Sequence, residues 1–223
     1  MIFRQLFEPQ SSTYTYLIGC PKSGRAVLVD PVLETLERDL ELIAELGLKL
    51  AFTLETHIHA DHLTSAFRLS AVTGSQIAVP AICGLECATI GVSEERPLEA
   101  GSVAIQPIFT PGHTDHHHCY LIEDKSWSAV LTGDCLLIDG CGRTDFQGGD
   151  ATAMFGSVRD RLFTLAGGTL VYPGHDYQGR RVSSIAQERA RNPRLGEAMS
   201  LAGFVECMAN LDLPYPRKID IAV

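Results

Sequence analysis

The sequence predicts an α/β protein folded as one domain over residues 1–223, and three observations carry that expectation. Strand-like stretches give way to helical periodicity twice, once in each half of the chain. No low-complexity tract, linker or repeat at a period of about 20–50 residues interrupts them. The 8 histidines do not scatter: they gather in three places, each just after a strand-like run.

Residues 3–6, 13–18 and 26–29 read as strands, with a turn over residues 19–24 and Asp30-Pro31 closing the third. Leu36, Leu40, Ile43 and Leu46 then recur at helical spacing, and Gly47 suits the C-terminal cap. Residues 50–54 form a short apolar strand that runs into the first histidine cluster. A helix is predicted over residues 62–72, closed by Gly74, with a strand following at 76–80. Beyond a variable stretch at 83–101, residues 103–109, 119–123 and 129–132 are further strands. Residues 151–165 are amphipathic, 169–172 strand-like, and the remainder to about residue 210 reads as helices.

Composition is that of a globular protein, 45% hydrophobic and 20% charged. A formal net charge of −9 argues against nucleic acid as a partner, because phosphate contacts need clustered Lys and Arg. No run approaches the roughly 18 apolar residues that span a bilayer, so no membrane association is expected. Met1 leads straight into a strand-like pattern without a leader signature, and the expected compartment is the cytoplasm. The 7 cysteines show no paired framework, so disulfides are not expected. Cys83 and Cys87 read as small buried hydrophobes.

The chemistry is carried by Thr56-His57-Ile58-His59-Ala60-Asp61-His62, directly after a strand. His57 and His59, two apart, fall on one side of an extended chain, and Asp61 and His62 are expected from the start of the next helix. Thr110-Pro111-Gly112-His113, Thr132-Gly133-Asp134 and Tyr172-Pro173-Gly174-His175 each follow a strand as well. Four strand ends therefore deliver metal-competent side chains. Imidazole with carboxylate suits zinc, iron or manganese.

His57-x-His59-x-Asp61-His62 followed by His113, Asp134 and His175 resembles the metallo-β-lactamase superfamily over nearly the whole chain. That resemblance implies an αββα four-layer sandwich with metal at one edge. Two branches are similar to this sequence. Gly140-Cys141-Gly142-Arg143 and His175-Asp176-Tyr177 are shared by the glyoxalase II and persulfide dioxygenase families, and both segments imply glutathione. Arg143-Thr144-Asp145-Phe146-Gln147 resembles the dioxygenases, as do residues 4–9, 30–35 and 213–220. The longer helical C-terminal region of glyoxalase II is not expected here.

The dioxygenase resemblance implies one Fe(II) per chain held by His57, His113 and Asp134. It implies oxidation of the sulfane sulfur of glutathione persulfide by O2 to sulfite and glutathione. The persulfide supplies the electrons, and no Gly-x-Gly-x-x-Gly fingerprint for a nicotinamide or flavin occurs. His59, Asp61, His62 and His175 resemble the remaining ligands of binuclear relatives. Here they are expected to orient the three ligands or to serve a second ion. Arg143, Tyr177, Arg217 and Lys218 are the substrate-binding candidates; Tyr177 and Cys141 are the catalytic ones. For Arg143 an ion pair with Asp139 or Asp145 is the competing reading, and for Cys141 a place in the buried scaffold. Relatives often associate, so a homodimer stays open. The alternative function is a glyoxalase II-like binuclear hydrolase of glutathione thioesters.

One segment departs from the dioxygenase pattern. Asp115-His116-His117-His118-Cys119 stands where Pro-Gly-Cys is usual. Either His117 takes the place a histidine holds in glyoxalase II, or the three histidines lie exposed on a loop.

Overall fold

Alternating and continuous apolar patterns in the first thirty residues resolve into three antiparallel strands, β1 (Ile2–Glu8), β2 (Thr13–Cys20) and β3 (Arg25–Val29). The computed structural model describes residues 1–125, 127–216 and 218–222. Every residue of β2 is buried. Helix α1 (Leu36–Glu45) lays Leu36, Leu40 and Ile43 against Leu17, Leu28 and Leu50. Its end matches the expected cap: Gly47 is left-handed (φ +64), and the Leu48 N–H reaches the Ile43 carbonyl at 3.0 Å. β4 (Lys49–Leu54), β5 (Gln76–Pro80) and β6 (Ile90–Val92) add in parallel beyond β3.

Helix α2 spans Ala66–Thr73 and so begins four residues later than residue 62. The cause is competition for backbone hydrogen bonds. The Leu33 N–H donates to Leu63 O (2.8 Å) and the Ser65 N–H to Pro31 O (3.0 Å), which holds residues 63–65 against the segment after β3. Asp61 and His62 therefore sit in a loop rather than on a helix. The variable stretch at 83–101 holds β6 and β7 (Leu98–Ala100), each too short for a period to register. Cys83 and Cys87 are half-buried there, which corrects the buried reading.

β8 (Val103–Phe109), β9 (His118–Asp124) and β10 (Trp127–Gly133) follow, then β11 (Leu170–Pro173) and the two-residue β12 (Ser183–Ser184). The strands make two mixed six-stranded sheets, in the orders β1-β2-β3-β4-β5-β6 and β12-β11-β10-β9-β8-β7. Helix α3 (Ala151–Gly156) starts on an Asp150 side-chain cap and runs on as a π-helical turn over Ser157–Leu162. α4 (Ile185–Arg191) and α5 (Leu201–Ala209) are capped by Ser184 and Ser200, and α6 (Ile219–Ala222) closes the described chain.

Contacts divide the chain into two compact units, Met1–Gln106 with Tyr215–Val223, and Pro107–Pro214. In the second, Met154, Val158, Leu162, Val171, Ile185 and Phe204 form the core against β10 and β11. Among the described residues no helix is long and apolar enough to cross a membrane.

Candidate metal centre

In the first unit β4 ends at Leu54 and its chain turns directly into Glu55–His62. His57, His59 and His62 are all buried, and successive rings stand 4.2 and 4.1 Å apart between centroids. Their tautomers follow from their neighbours. Asp30 accepts the Thr56 N–H (2.7 Å) and the Thr56 hydroxyl (2.9 Å), so that hydroxyl has spent its proton. His57 Nδ1, 2.9 Å from the same oxygen, must then donate, and Nε2 is left as the lone-pair nitrogen. Sequence reasoning missed Asp30 and Thr56. Asp30 takes the left-handed region (φ +49), a strain that places its carboxylate beneath the histidine segment.

His59 Nε2 lies 3.2 Å from Asp30 Oδ1 and 3.3 Å from Glu55 Oε2. Burial opposes a charge on its ring, but the two carboxylates overcome that and hold its pKa well above the ordinary value. His62 Nδ1 faces Asp61 Oδ2 at 3.2 Å. His59 Nδ1 and His62 Nε2 are buried without a hydrogen-bond partner, and ligand atoms of His59, Asp61 and His62 fall within 4.8 Å of one another.

The second unit brings together His113, Asp134 and His175 from the ends of β8, β10 and β11. His113 Nδ1 is 2.7 Å from the Arg143 carbonyl, which can only accept. His113 Nε2 therefore carries a lone pair, yet it faces another acceptor, Asp134 Oδ2, at 3.6 Å. His175 Nε2 lies 3.4 Å from Asp134 Oδ1, a buried oxygen that accepts no hydrogen bond. Two atoms bound at about 2.1 Å to one ion stand roughly 3.0–3.4 Å apart. The 3.4 Å pair falls within that range and the 3.6 Å pair just outside it, and 3.6 Å is too long for a hydrogen bond. The donor set fits a metal.

Glycines make the approach possible. A Cβ on Gly142 would stand 2.6 Å from Asp134 O and 2.8 Å from His113 Nδ1; one on Gly174 would stand 2.6 Å from Asp134 Oδ1. Gly142 N–H also holds the Asp134 carbonyl (2.8 Å), so the Gly140–Arg143 segment supports both His113 and Asp134 through its backbone.

Residues 9–82 match the family profile described as the metallo-beta-lactamase superfamily. A hydroxyacylglutathione hydrolase of Polaromonas sp. is 34% identical over 167 residues, which cover 74% of this chain and 62% of that protein. The mitochondrial persulfide dioxygenase ETHE1 of Mus musculus is 46% identical over 224 residues, covering 100% of this chain and 86% of that protein. The crystal structure of ETHE1 from Myxococcus xanthus superposes with a TM-score of 0.95 at 48% identity, covering 100% of this chain and 96% of that one. The chain belongs to the persulfide dioxygenase family. It has the metallo-β-lactamase fold, with mixed sheets and helices, that this family and its solved relatives share.

The remaining candidates of this family member can then be placed. The Arg143 guanidinium pairs twice with Asp145 (2.6 and 2.7 Å), donates to Pro214 O (2.7 Å) and lies 4.6 Å over the Phe146 ring. The Asp145 hydrogen bond raises the pKa of Arg143, and the same bond lowers that of Asp145. Asp139 pairs with Arg180 instead. Three of the five guanidinium donors are thus committed and two remain. Tyr177 is 75% exposed, with its ring parallel to that of His175 at 6.1 Å. Lys218 lines a small cleft with Asp61 and His62, and its N–H donates to Ala60 O (3.0 Å). Arg217 lies outside the described residues.

Cys141 is buried, its thiol 3.9 Å from Met208 Sδ, and burial pushes its pKa up to about 11. Those surroundings favour the scaffold reading over the catalytic one. The exposed-loop reading of the three histidines is corrected: His116, His117 and His118 are 8%, 0% and 4% exposed.

Proposed function

We propose that this persulfide dioxygenase oxidises glutathione persulfide at a single Fe(II) held by His57, His113 and Asp134. What carries the choice of reaction is the full-length likeness to a persulfide dioxygenase at 46% identity, against 34% identity over 74% of the chain to a hydroxyacylglutathione hydrolase. What supports the metal is the pair of acceptor atoms, His113 Nε2 and Asp134 Oδ2, facing one another at 3.6 Å.

Two imidazoles and one carboxylate form a face that leaves coordination positions open, and Fe(II) bound there supplies the electron transfer that spin-forbidden attack of O2 on sulfur requires. The chain's own residues do the rest. Thr56 and the Arg143 carbonyl fix the ligand tautomers of His57 and His113, so no proton has to leave before metal binds. Asp134 supplies the negative charge that favours a cation. His59, held between Asp30 and Glu55, and His62, held by Asp61, are placed to orient water. The two remaining Arg143 donors, with Lys218 and Arg217, take the carboxylates of glutathione, and the exposed Tyr177 hydroxyl bonds the substrate. In the balanced reaction the sulfane sulfur gives four electrons to O2, water supplies the third oxygen of sulfite, and the glutathione thiol leaves.

A domain over residues 1–223 is part of the same proposal, supported by a likeness to ETHE1 that covers 100% of this chain. The homodimer rests on the resemblance alone. A cytoplasmic compartment is supported by seven free cysteines, whereas the mouse relative is named mitochondrial.

The test is an assay of oxygen and products together. Glutathione persulfide should consume oxygen and give sulfite and glutathione in equal amounts, while S-lactoylglutathione is left intact. Thioester hydrolysis without oxygen uptake would instead put His59, Asp61, His62 and His175 to work on a second ion and make the chain a binuclear hydrolase.

A further inference from the structure

His117 occupies the position where the sequence leaves the dioxygenase pattern, and its surroundings assign it one tautomer. The ring is fully buried. Its Nε2 lies 3.2 Å from the backbone nitrogen of Asp134, and a backbone N–H can only donate, so Nε2 is unprotonated. Its Nδ1 lies 3.0 Å from Thr110 Oγ1. The Thr110 hydroxyl proton is aimed onward at Cys119 Sγ (3.2 Å), which leaves an oxygen lone pair for the imidazole N–H. Thr110 is itself anchored, because its N–H donates to the His117 carbonyl at 3.0 Å.

We propose that His117 is a positioning residue of the metal centre: locked with its proton on Nδ1, it holds the Asp134 peptide and packs edge-on against His113. The inference rests on reading Asp134 and His113 as ligands. The Asp134 peptide is gripped at its carbonyl by Gly142 N–H (2.8 Å), and the preceding Gly133 carbonyl by Gly174 N–H (2.7 Å). His117 grips the Asp134 N–H of this turn with a side chain, while the Cys119 thiol reaches only the Thr132 carbonyl, at 3.5 Å. The same ring meets His113 at 6.2 Å with an interplanar angle of 83°. One imidazole therefore touches both ligand-bearing residues of the second unit, while its own lone pair is spent on a backbone N–H. That makes His117 a support and not a ligand.

Two measurements test this without turnover. Long-range 1H–15N correlation spectra of metal-free protein labelled at histidine, assigned with His117→Gln, should show the Nδ1–H tautomer at His117; an Nε2–H tautomer would overturn the proposal. Anaerobic Co(II) titration should find His117→Gln, whose amide oxygen can accept the Asp134 N–H, within about threefold of the unaltered enzyme and His117→Leu weaker by about 10–100-fold. Equal affinity of His117→Leu and the unaltered protein would sink the idea even if melting temperature falls, since that is what mere packing would give. Equal weakening in Gln and Leu variants would also sink it. If His117→Leu does not fold, the tautomer and the Gln titration still decide. Thioester hydrolysis by the enzyme would remove the reaction proposed above and leave this inference standing.

Discussion

A neutral imidazole has one proton and one lone pair, and the centre is organised by deciding which nitrogen gets which. Carbonyl, hydroxyl and carboxylate neighbours settle that for His57, His113 and His62 before any ion arrives. Cys141 is governed by the opposite logic. Its environment offers the thiolate little stabilisation, so the group stays protonated at neutral pH. We expect iodoacetamide to label Cys141, and its buried neighbours Cys119 and Cys135, only after unfolding, with mass spectrometry locating the label. Rapid labelling of Cys141 in the native protein would restore it as a reactive group. His57, His113, Asp134 and His175 follow β4, β8, β10 and β11 within four residues, as the motif spacing expects, whereas Asp61 and His62 lie in the loop beyond rather than at a helix start. The supporting residues were not legible in that way. Asp30 reads as a strand-ending Asp-Pro, and nothing in the sequence announces its left-handed backbone or its reach to Thr56 and His59. His117 was conspicuous, but its partner is a backbone N–H, which leaves no sequence signature.

At the scale of elements, each of the proposed ligands His57, His113 and Asp134 stands past a strand, where backbone pairing stops and the chain is free to turn. Gly142 and Gly174 are where the main chain crowds the proposed ligands His113 and Asp134. Gly174→Ala would set a Cβ 2.6 Å from Asp134 Oδ1 and 3.0 Å from the Gly133 carbonyl carbon. We expect that variant to lose metal affinity by at least about 10-fold, read by Co(II) titration. Gly168→Ala, whose Cβ meets nothing within 4 Å, should bind as before. Equal affinities in the two variants would mean that the close approach at Gly174 is not needed. Strands of five or more residues and helix α1 were legible because their apolar periods are long and clean. β6, β7 and β12 were not, being two or three residues each. The start of α2 was misplaced because residues 63–65 spend their backbone hydrogen bonds on residues 31–33, a tertiary choice that local propensity does not encode.

For the whole molecule, an ion that binds only the folded chain stabilises it by mass action. At a free iron concentration about a hundred times Kd the gain is about 2.7 kcal/mol, roughly 5–10 °C in Tm for a chain of this length. Chelation should remove that increment in a calorimetric scan, and added Fe(II) should return it; an unmoved Tm would mean that the native state does not hold the ion. With a net charge of −9, the proposed capture of an anionic substrate depends on the local cations Arg143 and Lys218. The family places the chain among persulfide dioxygenases; the single iron is the claim on which the proposed reaction depends. Its most direct test is elemental analysis of protein purified without added metal, with oxygen uptake on glutathione persulfide measured for the unaltered protein and Asp134→Ala. We expect about one iron per chain and oxygen consumption in the first, and neither in the second. Two metals per chain with no oxygen uptake, or full iron and turnover in Asp134→Ala, would contradict the mononuclear centre built on His57, His113 and Asp134.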